Sequence, residues 1–189
     1  MLNRREVVRV LLRDRGELLV ITGLGSPTYD VAAVGDDARN FYFWGAMGGV
    51  CMAGLGIALA QPDRRVVVVT GDGEMLMGMG SLATIAQQRP PNLAIVVLDN
   101  GRYGETGMQP SHTAGFTNLT KVADACGIPL TMEIRNTTEL NQLAKLIHHA
   151  ENTLFARVVV ALDEEPRVLP TRDGVALKLR FRNALNLAD

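Results

Sequence analysis

The sequence predicts an α/β fold in which helices cover both faces of a parallel β-sheet. Two apolar, β-branched runs, VVVVT at 66–70 and LAIVVLD at 93–99, alternate with segments of helical character. Uninterrupted apolar strands are typical of parallel sheets, because helices bury both of their faces. The 189-residue length, with 47% hydrophobic and 21% charged residues, is typical of one globular domain, which we expect to span residues 1–189.

Capping residues and glycines limit the elements expected in the first half of the chain. Asn3 and Glu6 form a capping pair for a first helix. Gly23, Gly25 and Pro27 end the strand that follows. The expected elements are a helix from residue 3 to about 13, a strand at 17–22, an aromatic strand at 41–43, a Gly- and Ala-rich helix at 46–60 and a strand at 66–70.

Prolines and one glycine punctuate the second half of the chain. Pro90 and Pro91 end a helix ahead of the strand at 93–99, and Gly127 caps a later helix. The expected elements are a helix at about 75–88, the strand at 93–99, a loop rich in Gly, Ser and Thr, a helix at 118–126, a strand near 130–134, a helix at 138–150, a strand at 157–162 and a helical tail from 175.

Charge and cysteine content exclude several classes of protein. Nineteen basic and twenty acidic residues give a net charge of -1 without long runs of either sign, so we expect no nucleic-acid partner and no basic membrane patch. Cys51 and Cys126 form no CxxC motif, which favours a reducing compartment. Arginines spread through the first 17 residues at helical spacing are unlike a signal peptide, and we expect a cytoplasmic protein.

One uncharged segment, at 40–62, favours a membrane protein instead. It approaches the length of a bilayer span and includes the GxxxG pair of Gly45 and Gly49. Glycines and alanines dilute its apolar content, however, and a strand follows almost at once. A helix buried within an α/β domain is therefore the simpler interpretation, and we expect no membrane association.

Two polar loops follow neighbouring strands of the expected sheet. Gly71, Asp72 and Gly73 come directly after the strand 66–70, and Asn100 directly follows the strand 93–99. Ligands of such sheets bind at the carboxyl ends of the strands. Carboxylate and amide oxygens suit Mg²⁺, which usually completes its six ligands with water and phosphates, and glycines let backbone amides approach a phosphate. The pattern predicts a magnesium and phosphate site here.

The GDG sequence alone is a weak signal, because turns commonly contain Gly and Asp. The spacing is more specific: residues 74–99, 26 positions, separate GDG from Asn100. This pattern resembles the thiamine-diphosphate signature of the thiamine-dependent 2-oxoacid decarboxylases. The resemblance implies thiamine diphosphate and Mg²⁺ as cofactors. The implied metal ligands are the side chains of Asp72 and Asn100 and the carbonyl of Arg102, and Glu74 is a further cofactor-binding residue. Asp99 departs from the family, which often has Asn there.

A second turn agrees with this family. The sequence Gly45-Ala46-Met47-Gly48 lies where the superfamily has a Gly-small-large-Gly turn that contacts the aminopyrimidine ring. By the resemblance, Gly45 and Met47 bind the cofactor, and Met47 wedges its two rings into a bent conformation. The alternative is that Met47 merely fills a gap in the core.

Longer segments extend the resemblance over nearly the whole chain, from about residue 17 to the tail. SLATIA, NLAIVVLDNGRYGETGMQ and ACGI are similar to sulfopyruvate and phosphonopyruvate decarboxylases, particularly the β-subunit type. The resemblance implies decarboxylation of an anionic 3-substituted pyruvate. Donors in the loop beyond Asn100 are the substrate-binding candidates, namely Thr106, Gln109 and His112, with Ser111 and Thr113 beside them. Sulfonate, phosphonate and carboxylate recruit similar donors, so the distal group stays open.

Two other motifs have simpler explanations. Residues 78–83 match GxGxxA, but we place them well inside the helix 75–88 and not at a strand-to-helix turn, which makes dinucleotide binding improbable. His148 and His149 lie near the end of a polar helix, where histidines commonly face solvent or the helix dipole.

The family's activating glutamate belongs to a separate pyrimidine-binding domain, and no glutamate here falls in such a motif. We therefore expect this chain to be the diphosphate and magnesium half, joined to a pyrimidine-domain α subunit in a hetero-oligomer with self-association. No catalytic residue is assigned within this chain, with His112 the one candidate. The alternatives are a component of another thiamine-dependent 2-oxoacid enzyme and a non-catalytic cofactor-binding or structural protein.

Overall fold

A computed structural model describes residues 1–187 and contains a six-stranded, entirely parallel sheet. Its strands, in chain order, are β1 Leu19–Thr22, β2 Asn40–Tyr42, β3 Val66–Gly71, β4 Leu93–Asp99, β7 Leu130–Ile134 and β8 Leu154–Val159. Between β4 and β7 lies a small antiparallel hairpin of β5 Arg102–Tyr103 and β6 Gln109–Pro110. The spatial order of the sheet is β2-β1-β3-β4-β8-β7, which places β3 and β4 side by side at the centre.

Eight α-helices connect and flank these strands within the described residues. They are α1 Arg4–Leu11, α2 Ser26–Val34, α3 Val50–Ala60, α4 Asp72–Met77, α5 Ser81–Gln88, α6 Leu119–Ala125, α7 Thr137–His149 and α8 Gly174–Ala184. A short 3₁₀ turn at His112–Ala114 follows the hairpin. The expected cap at Asn3 is confirmed, since its side chain accepts a hydrogen bond from a first-turn amide of α1. The side chains of Asn118 and Asn136 cap α6 and α7 in the same way.

The core consists of two layers, one on each face of the sheet. Val67 and Val69 of β3 pack into the layer that includes α1, α2 and α7, while Val66 and Val68 pack into the layer that includes α3, α5 and α6. Successive side chains of a strand point to opposite faces, so a strand buried on both sides is apolar throughout. The predicted α/β fold with helices on both faces is confirmed.

Several element limits differ from the sequence prediction. The helix α2 was not predicted, because Gly25 and Pro27 are strand-ending signals; here Gly25 caps the helix and Pro27 lies in its first turn, where its missing N–H is not needed. The expected helix at 75–88 is two helices, α4 and α5, separated at Gly78–Gly80. The strand expected at 157–162 is β8 at Leu154–Val159.

The structure also shows the conformation of the uncharged segment 40–62 and of the GxGxxA match at 78–83. Within residues 40–62, the helix is α3 at Val50–Ala60, and among residues 1–187 no helix has the length and apolarity needed to cross a membrane. The GxGxxA glycines lie at the break between α4 and α5, not inside a helix as expected. That break still follows a helix and not a strand, so it lacks the strand-to-helix turn of a dinucleotide site.

Two glycines of α3 provide a test of how this helix packs on the sheet. A Cβ at Gly54 would lie 2.2 Å from Cγ2 of Val68 in β3, whereas a Cβ at Gly56 meets nothing within 4 Å. We expect Gly54→Ala to destabilise the protein by about 1–3 kcal/mol through overpacking. The matched control Gly56→Ala should be neutral or stabilise by up to about 1 kcal/mol, because alanine favours helix over glycine. Urea unfolding of both variants measures the difference, and equal stabilities would contradict this packing.

Candidate active site

The two polar loops meet at one edge of the sheet. Gly71 at the end of β3 is in register with Leu98 of β4, so Asp72 and Asn100 both follow the carboxyl ends of neighbouring central strands. Both residues line a cleft of about 180 Å³. The cleft lining includes nearly all of the predicted cofactor residues, namely Met47, Gly71, Asp72, Gly73, Glu74, Asn100 and Arg102. Of that predicted set, Gly45 is the one that lies outside the lining.

Hydroxyl groups hold the carboxylate of Asp72 in place. Asp72 is buried, and its Oδ2 accepts hydrogen bonds from the hydroxyls of Ser111 and, at 3.2 Å, Thr113. Burial raises the pKa of the Asp72 carboxyl, with Asp99 adding a like charge, while the two hydroxyls oppose the shift. Our expectation that Ser111 and Thr113 offer donors to a substrate is wrong for this structure, because both are buried and directed at Asp72.

A second buried carboxylate, Asp99, supports the same hydroxyl network. Its Oδ1 accepts a hydrogen bond from the Gly101 N–H at 2.9 Å and lies 2.7 Å from the Thr113 hydroxyl, which shares its single proton between Asp99 and Asp72. Its Oδ2 pairs with Nε of Arg157 on β8 at 2.5 Å. Sequence reasoning treated Asp99 only as a departure from the family and did not find this role. The one signal was an arginine within the otherwise apolar run of β8.

The oxygen atoms around Asn100 are of the kind that coordinates Mg²⁺, and a phosphorylated ligand would complete the coordination of the metal. The Asn100 Oδ1 accepts a hydrogen bond from the Arg102 N–H at 2.9 Å, which turns the chain so that both residues line the cleft. Within residues 1–187 no three His, Cys, Asp or Glu side chains group into a metal site, and the oxygen-bearing side chains that line the cleft include those of Asp72 and Asn100. A Cβ at Gly71 would enter open space, so the backbone there is accessible to a ligand.

Glu74 connects the cleft to two backbone turns. Its Oε2 accepts from the Leu24 N–H and the Thr70 hydroxyl, both at 3.0 Å, and its Oε1 accepts from the Gly48 N–H at 3.2 Å. Burial raises the pKa of the Glu74 carboxyl, while these three donors oppose the shift. Glu74 thus fixes the turn at 45–48 relative to β3, and its carboxylate is already engaged with protein donors.

The turn at 45–48 presents Met47 to the cleft. Ala46 and Gly48 have positive φ angles of 50° and 89°. Gly78 packs against this turn so closely that a Cβ there would lie 2.1 Å from the Gly48 carbonyl oxygen. Met47 is 41% exposed, which is not consistent with the alternative of a gap-filling core residue. Its role as a wedge between two cofactor rings stays a prediction.

The candidate substrate residues are divided between three places. Thr106 lines the cleft with Asp72, whereas His112 lines an adjoining depression of about 460 Å³ together with Met47. The His112 ring Nδ1 lies 3.1 Å from the Tyr103 hydroxyl. Gln109 is exposed in β6, and its amide donates to the Thr106 carbonyl at 2.9 Å. Gln109 is therefore not among the residues that line either space.

The comparisons with known proteins identify the family of this chain. A family model for the C-terminal TPP-binding domain of thiamine pyrophosphate enzymes matches residues 25–160. The chain belongs to the thiamine pyrophosphate enzyme family. It is 34% identical to sulfopyruvate decarboxylase subunit beta of Methanocaldococcus jannaschii over 191 positions, which cover 96% of each chain. It is 41% identical to phosphonopyruvate decarboxylase of Streptomyces viridochromogenes over 119 positions, covering 63% of this chain and 30% of that protein.

A solved structure supports the same fold for this thiamine pyrophosphate enzyme. Benzoylformate decarboxylase from Polynucleobacter necessarius matches with a TM-score of 0.76 at 19% identity, covering 87% of this chain. The match covers 34% of that longer chain. The predicted family, thiamine diphosphate as cofactor and membership of the thiamine-dependent decarboxylases are confirmed. The individual residue roles remain predictions.

Proposed function

We propose that this chain binds the diphosphate of thiamine diphosphate through Mg²⁺, as one subunit of a decarboxylase for an anionic 3-substituted pyruvate. The observation that carries the proposal is that Asp72 and Asn100, whose GDG and Asn motifs are separated by residues 74–99, line one cleft at adjacent strand ends. The Asp72 and Asn100 side chains and the Arg102 carbonyl supply hard oxygen ligands, as Mg²⁺ prefers.

The bound cofactor supplies the nucleophile and the electron sink for decarboxylation. The chain's own residues bind and orient it. Asp72, held by Ser111 and Thr113, supplies the charged metal ligand, and Gly71 leaves room for a ligand at the backbone. Met47 is exposed and lines both the cleft and the adjoining depression, which supports its proposed contact with the cofactor rings. A fixed set of this kind lowers the entropy that must be lost on binding.

We further propose a partner chain that carries the pyrimidine-binding domain. The matched family model is the C-terminal TPP-binding domain, and the Methanocaldococcus relative, of nearly the same length, is named subunit beta. A subunit with that name has at least one other kind of subunit beside it. The expected hetero-oligomer, and self-association within it, rest on this support.

Calorimetric titration of thiamine diphosphate tests the proposed cofactor site. We expect this chain, together with its proposed partner, to bind the cofactor in the presence of Mg²⁺ and to lose most of that affinity when EDTA removes the metal. Thiamine without phosphates is the control ligand and should bind weakly under both conditions. Affinity that is the same with and without the metal would overturn the proposed magnesium site.

Substrate preference is expected to follow the anionic distal group. We expect a higher kcat/KM for sulfopyruvate or phosphonopyruvate than for pyruvate, by about tenfold or more, because a charge-assisted hydrogen bond contributes about 1.5–3 kcal/mol. The motive is the similarity to sulfopyruvate and phosphonopyruvate decarboxylases, with Thr106 and His112 at the cleft and the adjoining depression. The reconstituted enzyme is assayed with all three acids, and Thr106→Val and His112→Gln identify the contributing donors.

Two outcomes of that assay are informative. Equal kcat/KM values for pyruvate and the anionic acids would contradict recognition of the distal group, whether or not the cofactor site stands. An anionic preference that survives both substitutions would show that the donors lie elsewhere, including on the partner chain.

A further inference from the structure

The cleft is lined by a positively charged side chain, that of Arg4, which was not predicted from the sequence. Arg4, the first residue of α1, lines the same cleft as Asp72 and Asn100 although it lies far from them in sequence. Only 10% of the surface of its side chain is exposed. A nearly buried guanidinium that borders a cleft is a strong candidate for binding an anion, because it is always charged and carries several N–H donors in a poorly solvated place.

A buried carboxylate fixes the orientation of this arginine. The side chain of Asp30 in α2 is fully buried, and its two oxygens accept from Nε of Arg4 and Nε of Arg5. Binding through Nε leaves the terminal Nη atoms of Arg4 as its remaining donors. Arg5 differs, because its terminal nitrogens contact Glu165 and the Pro166 carbonyl, and Arg5 is not among the residues that line the cleft.

The start of α2 lies beside Arg4 at the cleft. Ser26 and Pro27, in the first turn of this nine-residue helix, are both among the lining residues. First-turn amides of a helix carry partial positive charge and lack intrahelical acceptors. The backbone amide of Ser26 therefore adds a hydrogen-bond donor with partial positive charge to the charged donors of Arg4, on the side of the cleft formed by α1 and α2.

We propose that Arg4 is a binding residue for the cofactor diphosphate, held in position by Asp30 and assisted by the first turn of α2. This inference rests on the proposed function. A diphosphate ester carries more negative charge than one Mg²⁺ ion neutralises, and Asp72 adds another negative charge to the metal site. Arg4 and Arg102 are the arginines that line the cleft, so Arg4 supplies a cation independent of the proposed metal ligands.

The same oxyanion chemistry has a second source, the distal group of an anionic substrate. We commit to the cofactor because Arg4 lines the space that includes Asp72, Asn100 and Gly71, whereas His112 lines the adjoining depression. If Arg4 bound the substrate instead, its replacement would raise KM for the anionic acid and leave cofactor affinity unchanged. Measuring both quantities on the same variant separates the two sources.

Inorganic pyrophosphate with Mg²⁺ is the direct probe of anion binding by Arg4. We expect Arg4→Gln to weaken pyrophosphate and thiamine diphosphate binding about tenfold to a hundredfold in calorimetry, the effect of losing a charge-assisted hydrogen bond. Arg5→Gln is the matched control, since it removes the other arginine bound to Asp30 but does not line the cleft, and its affinities should stay within about twofold of wild type.

A second variant keeps the test valid if Arg4→Gln perturbs folding by leaving Asp30 buried with one partner. Arg4→Gln combined with Asp30→Asn removes the cation and the buried charge together. Circular dichroism and the melting temperature without ligand check its fold, and its pyrophosphate-induced rise in melting temperature should be smaller than that of wild type.

The possible results distinguish the two proposals. Wild type that does not bind pyrophosphate with Mg²⁺ would overturn the cofactor site and this inference with it. Wild-type binding with equal affinity in a folded Arg4 variant would overturn the role of Arg4 alone. A variant that loses cofactor affinity while its KM for the substrate is unchanged supports Arg4 as a diphosphate-binding residue.

Discussion

Replacing Asp72 with alanine is expected to weaken Mg²⁺-dependent binding of thiamine diphosphate by at least about tenfold. Loss of groups that only orient a metal ligand already lowers metal affinity about 10- to 100-fold, and Asp72 is the proposed charged ligand itself. The structure gives this carboxylate a buried, fixed position beneath the hydroxyls of Ser111 and Thr113. Preorganisation of that kind is what the alanine variant loses together with the charge.

Calorimetry over a series of Mg²⁺ concentrations separates the metal from other contributions. Asp72→Asn keeps a hydrogen-bond acceptor for Ser111 while removing the charge, so it should resemble alanine in metal dependence and wild type in stability. Asp63→Ala, which removes an exposed carboxylate just before β3, is the control and should not change affinity. Wild-type affinity in Asp72→Ala at limiting Mg²⁺ would remove Asp72 from the metal site.

Strands that are buried on both faces could be predicted from the sequence with good accuracy. The strand β4 lies at 93–99 as expected, because seven consecutive buried residues leave few other structures for an apolar run. The helix α2 was missed because glycine and proline have two meanings: they end strands, and they also begin helices. Whether Gly25 stops one element or caps the next depends on its φ of 75° and on the helix packing against α1 and β3.

The hairpin of β5 and β6 was missed for a similar reason. Its strands have two residues each, too short for any period-two pattern to be recognised. The pairing of Arg102 with Pro110 and of Tyr103 with Gln109 is an effect of tertiary placement beside α4 and not of local propensity. A loop rich in Gly, Ser and Thr was therefore the most that the sequence predicted there.

In the candidate site, the residues with a sequence motif were found and those acting through space were not. Asp72 and Asn100 carry a spacing and a strand-end position, and the structure brings them into one cleft. Arg4 and Asp30 have no motif, because their pairing depends on how α1 packs against α2. The same holds for Asp99 and Arg157, which β4 and β8 bring together from positions 58 residues apart.

Assayed alone, this chain is expected to decarboxylate at least about a hundredfold, and up to about ten-thousandfold, more slowly than the complex with the proposed pyrimidine-domain partner. Positioned acid–base groups typically contribute rate factors of about 10² to 10⁴. The family resemblance assigns the activating glutamate to that partner. Of the glutamates that line the cleft, Glu74 is engaged with the Leu24 and Gly48 amides and the Thr70 hydroxyl, and Glu105 pairs with Arg167.

The decarboxylation rate of the purified chain should be measured with saturating cofactor and Mg²⁺, first alone and then with the co-expressed pyrimidine-domain chain. Mass spectrometry establishes that the first preparation contains no partner. Cofactor binding must be measured in both preparations, because the proposal separates binding, for which this chain supplies the diphosphate and metal contacts, from activation, which it assigns to the partner. Glu74→Gln tests the alternative within this chain. If the isolated chain were fully active and Glu74→Gln abolished that activity, Glu74 would be the activating acid and the two-subunit proposal would be wrong. The Glu74 carboxylate would then have to leave the Gly48 and Leu24 amides to reach the cofactor.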